Sequence, residues 1–307
     1  MKDLRGYFYV LGAAIFWGGS ATAAKFLLNA NVDTITIVQA RVTFTALLLF
    51  PFLLIFRRKE LRVSPRDVWK FLLLGIAGVA GSNFMYYFTI KESTVATGIL
   101  IQYTAPLLVM LYAAWSGEEK PTTTKILAAT ISLTGCFLAV GAYNAQVFKI
   151  SSLGLTTGLL SSICFAFLSL YTRSLLKQFP FWTVTFYAIV GASVFWLVVR
   201  PPWMLFTRES APYPLLPLFL LAIVSILIPH SLYFSGLRLV LPSRAIITST
   251  LEPVVAISTA ALFLGEYLSS IQVFGAVLVI AAVMILQIRR EPDHLLNSIS
   301  RNHHGNH

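Results

Sequence analysis

The sequence predicts an all-α integral membrane protein, with ten transmembrane helices forming two inverted five-helix repeats around a central cavity. Three observations carry that prediction. Charged residues make up only 11% of the 307 positions and apolar ones 57%, whereas soluble domains carry about 25% charge. Apolar runs of about 20 residues, each able to cross about 30 Å of hydrocarbon, recur along the whole chain. The chain also matches itself 147 residues apart: Asn83 falls under His230, Tyr86 under Tyr233, Pro106 under Pro253 and Glu119 under Glu266. Five helices is an odd number, so the second repeat enters the membrane from the opposite side.

The runs fall at about 7–29, 34–56, 70–90, 94–115, 123–142, 152–173, 181–200, 215–237, 242–264 and 270–288. Residues 1–145 form the first repeat and 146–288 the second. The polar tail 289–307 reads as a disordered cytoplasmic segment. With the N-terminus in the cytoplasm, seventeen of the 23 Lys and Arg lie on that side, which places both termini there. This bias accounts for the net charge of +11 without a nucleic-acid partner. Cys136 and Cys164 read as small buried hydrophobes, and no cofactor or metal site is implied. Short loops without a glycosylation acceptor point to a multi-pass protein of a bacterial plasma membrane, the inner one.

Helix one carries Trp17 about midway along, beside Gly18 and Gly19. That is too deep for an interfacial belt, and Trp17 faces either a cavity or the core. Helix two carries Arg41, which needs a partner at its depth, with Glu252 as one candidate. Helix three places Asn83 and Tyr86 one turn apart, and helix eight repeats this with His230 and Tyr233. Lipid-facing helices do not choose such residues, so cavity lining is expected. Helix four adds Gln102, Tyr103 and Pro106; helix nine adds Ser249, Glu252 and Pro253. Each proline frees the carbonyl four residues earlier, that of Gln102 or Ser249, and kinks the helix or opens a gate there. A carboxylate at the bilayer centre costs roughly 3 kcal/mol, so Glu252 is a coupling group or a structural charge. Helices five and ten hold mostly Ala, Leu, Ile, Val and Gly and read as braces or as a homo-oligomer face.

The Trp-Gly-Gly of helix one, the Arg of helix two, the Pro of helix four and LEPVVAISTAALFLGE from Leu251 to Glu266 resemble the EamA family of the drug/metabolite transporter superfamily. The likeness covers about residues 7–288. It implies a cavity lined by helices one, three, four, six, eight and nine. It also implies a secondary transporter, not an enzyme, that exports a small metabolite such as an amino acid or related zwitterion by alternating access. Exchange of phosphorylated or nucleotide-linked metabolites is an alternative, as is a channel-like or structural membrane protein. On the first reading Trp17, Asn83, Tyr86, Gln102, Tyr103, His230, Tyr233 and Ser249 contact the substrate.

Overall fold

A computed structural model describes residues 2–30, 32–119, 121–148, 150–201, 215–265 and 267–288. The tail 289–307 and Glu266 lie outside the described residues. Regular structure among those residues is entirely helical. In chain order, α1 is Lys2–Asn29 and α2 is Thr34–Phe56, followed by a 3-10 turn at Arg58–Leu61. Next, α3 (Val68–Leu73) runs through a π-helical stretch at Leu74–Ala80 into α4 (Gly81–Glu92). A further rod, α5 (Val95–Gln102) and α6 (Ala105–Trp115), is interrupted at Tyr103 and Thr104. Then come α7 (Thr123–Ala139), α8 (Ser152–Leu176) and α9 (Phe181–Val199). The rod of α10 (Leu215–Ala222) and α11 (Ile228–Leu237) again contains a π stretch, Ile223–Leu227. The rod of α12 (Pro242–Ser249) and α13 (Leu251–Leu264) breaks at Thr250, and α14 is Ser270–Ile288.

Local chemistry sets the starts. Asp33, Thr94, Thr122 and Ser151 each accept a hydrogen bond from the backbone N–H three residues on, satisfying a donor that has no helical partner. Pro106 and Pro253 sit just past the two breaks, where a missing N–H and the ring clash interrupt an α-helix. The boundaries repeat at the spacing found in the sequence. Val95–Gln102 and Pro242–Ser249 start and stop 147 residues apart. So do the starts of α2 and α9, α4 and α11, and α7 and α14, and the ends of α1 and α8.

Eight of the rods are long and apolar enough to cross a membrane. The two other expected spans differ from these in physical character. At 17 residues α7 is apolar but short, and α1 is long but diluted by Gly18, Gly19, Ser20, Thr22 and its charged first turns.

Two groups form around α1 and α8. Helix α1 packs along α11, α12 and α13, while α8 packs along α4, α5 and α6. Close approach needs small residues. A Cβ on Gly18 would stand 2.6 Å from the carbonyl oxygen of Glu252, which explains one glycine of the Trp-Gly-Gly. Helices α7 and α14 pack on each other through Gly135 and Gly275, as braces would, and leave Phe274, Val277, Ile280 and Met284 exposed.

Candidate functional site

The breaks bring polar atoms to the middle of the bundle. Pro253 leaves the Ser249 carbonyl without its helical donor, and the Tyr103 hydroxyl donates to that oxygen at 3.2 Å. The same hydroxyl lies 2.7 Å from Oε2 of Glu252. Tyr103, from the break in one half, therefore meets the break in the other. Glu252 is half-buried, and among the described residues its Oε1 has no donor.

From Tyr103 a chain of aromatic rings leads away from this carboxylate. Trp17 sets its ring edge-on to His230 at 5.4 Å, tilted against Tyr233 at 5.3 Å and edge-on to Phe165 at 6.4 Å. Phe165 in turn stands 6.5 Å from Tyr103. Among the described residues the His230 Nδ1 has no well-formed hydrogen bond, its near acceptor being the Ile226 carbonyl one turn back, and His230 is only 4% exposed. Such a group costs free energy unless something satisfies it. Half-buried Tyr86 lies within electrostatic reach of Glu252, Tyr87 and Arg41. The cluster can hold a cationic or hydrogen-bonding group against rings, since ring faces and a carboxylate attract positive charge.

The other expected residues are placed differently. No direct Arg41–Glu252 pair forms. Arg41 donates through Nε to Ser225 Oγ at 2.6 Å and through Nη1 to the Tyr87 hydroxyl at 2.9 Å, so its charge is satisfied by neutral oxygens. Gln102 donates to Ser82 and Ser161 at 3.2 and 2.9 Å, tying α5 to α4 and α8. Tyr233 is fully buried with its hydroxyl 2.8 Å from Ser169, and Asn83 bonds back to the Val79 carbonyl at 2.7 Å. Ser249 turns its own hydroxyl onto the Ile246 carbonyl at 2.8 Å, so it reaches the cluster through its carbonyl.

The EamA-like transporter family matches the chain twice, over residues 4–141 and 152–288. The chain belongs to that family. It is a multi-pass membrane transporter of the EamA type. Among relatives of this EamA chain, the uncharacterized inner membrane transporter YicL of Salmonella typhimurium is 24% identical, over 92% of this chain and 95% of its own. The threonine/homoserine exporter RhtA of Escherichia coli is 26% identical over 89% of this chain and 88% of its own. A crystal structure superposes with a TM-score of 0.77 at 18% identity, covering 92% of this EamA chain and 96% of that one, and shares its fold.

Three parts of the candidate site are not legible in the sequence. Phe165 sits in a run of apolar residues on α8 and carries no polar signal. Ser225, the main partner of Arg41, is one serine in an apolar stretch. The paired π stretches directly precede Asn83 and His230, and such widened turns recur at functional sites. Their one sequence trace is that they too fall about 147 residues apart.

Proposed function

We propose that the chain is a secondary transporter that exports an amino acid or a related zwitterion across a bacterial plasma membrane. Two inverted five-helix halves, 1–145 and 146–288, would expose one central site to each side in turn, with both termini in the cytoplasm. The doubled family match and the recurrence of helix boundaries 147 residues apart support the duplication. Lys and Arg distribution supports the orientation.

The observation that carries the substrate class is the open Oε1 of Glu252 beside Tyr103, whose ring continues into the cluster of Phe165 and Trp17. A substrate ammonium would bond that oxygen and lie against the rings, worth roughly 1.5–3 kcal/mol for a charge-assisted bond. His230 and Asn83 would contribute further hydrogen bonds. An amino-acid substrate also agrees with the name of the RhtA relatives. A phosphorylated substrate is disfavoured, because the guanidinium of Arg41 is already engaged by Ser225 and Tyr87.

Counterflow in proteoliposomes tests this reading. Vesicles loaded with unlabelled threonine or homoserine, then with other amino acids in turn, receive the labelled compound outside. A transient overshoot, which in Glu252→Gln protein of equal abundance needs higher substrate concentration, is the expected result. Equilibration without overshoot indicates a channel, and no flux for any amino acid removes the substrate class.

A further inference from the structure

The two groups do not meet equally at both ends. Toward the end of the bundle that carries the N-terminus, α8 meets α11 and α12, and α6 meets α12. At the other end the corresponding pairs are α1 with α4, α1 with α5, and α13 with α5. Among the described residues none of these packs comparably.

Individual residues follow the same asymmetry, read against their counterparts 147 positions away. Tyr233, Phe234, Leu237 and Ile246 are fully buried, whereas Tyr86, Tyr87, Ile90 and Ile99 are half-buried. Leu168 on α8 is buried, and its counterpart Ala21 on α1 is exposed. Tyr233 bonds Ser169, but the counterpart of Ser169, Thr22, makes no bond to Tyr86 and bonds Thr259 at 2.7 Å. Across the closed end, Arg173 of α8 donates to the carbonyl of Leu237 and, at 2.9 Å, to that of Val240. Glu119, just beyond α6, accepts from Ser243 at the start of α12 and lies within electrostatic reach of Arg173. The counterpart of Arg173 is Phe26, which has no such donors.

We propose that Arg173 is the latch of a gate at the N-terminal end, that the protein rests closed there and open at the opposite end, and that Tyr86 closes on Thr22 in the alternate state. An inverted repeat exchanges the arrangements of its halves between states, so the contact made by Tyr233 and Ser169 is the template for Tyr86 and Thr22. A latch that, among the described residues, is present on one side only biases the resting population toward closure on that side. The proposal rests on the inverted-repeat reading above but not on the identity of the substrate.

Spin labels test it in protein lacking Cys136 and Cys164. One pair is placed at Lys177 and Arg238, and its counterpart pair at Ala30 and Lys91, all exposed positions. In otherwise unaltered protein, pulsed dipolar spectroscopy should give a longer mean distance for 30–91 than for 177–238. Arg173→Gln should lengthen 177–238 and shorten 30–91, with Arg173→Lys between. Equal distances for the two pairs overturn the resting state, and need no latch variant to fold. Unchanged distances in a monodisperse Arg173→Gln protein overturn the latch. If distances respond while no amino acid is carried, the gate stands and the substrate reading falls.

Discussion

At the scale of single side chains Glu252 offers a charge and Gln102 ties helices together, and their roles separate by substitution. Glu252→Gln keeps the shape but removes the charge that would receive an ammonium. A loss of about 1.5–3 kcal/mol corresponds to a weakening of apparent affinity of roughly 10- to 100-fold, read as KM for counterflow with the fold intact. Gln102→Ala acts otherwise. It removes bonds to Ser82 and Ser161 that join three helices, so it should lower thermal stability in detergent by about 1–2 kcal/mol, with KM little changed. A raised KM at unchanged stability would restore Gln102 to the substrate. The sequence marks which residues are polar and deep but not what they bond. Arg41 and Glu252 were both visible as charges needing partners; that Ser225, Tyr87 and Tyr103 supply them depends on how the helices cross.

Helices carry the next level of the account. The crossing of α7 and α14 leaves no room for side chains: a Cβ on Gly275 would stand 2.4 Å from the backbone nitrogen of Ala139 and 2.7 Å from the Gly135 carbonyl oxygen. Gly275→Val should therefore cost about 1–3 kcal/mol of overpacking, visible as earlier thermal unfolding; unaltered unfolding would mean the braces are not packed this closely. Pro253→Ala supplies an N–H that can claim the Ser249 carbonyl, competing with Tyr103 and straightening the rod. Counterflow should fall while stability holds or rises, and full activity would separate the break from transport. Apolar run length and proline position made these rods and both breaks legible beforehand. The π stretches were not, because one extra residue per turn leaves the hydrophobic run unchanged.

For the whole molecule, the 147-residue spacing is the organising observation, and it is legible in the sequence alone. Which end is closed was not readable, since two states of one sequence share every motif. Impermeant labelling of tags at Met1 and His307 should reach both from the cytoplasmic side alone; tags on opposite faces would refute an even number of crossings. The central claim is that a water-filled chamber between the halves holds the substrate beside Glu252. Its most direct test is the alkylation rate of Asn83→Cys, in protein lacking the native cysteines, by a membrane-impermeant maleimide. The account predicts reaction from the side opposite the N-terminus, slowed by the amino acid that gives counterflow. No reaction from either side, or a rate indifferent to that amino acid, would contradict it.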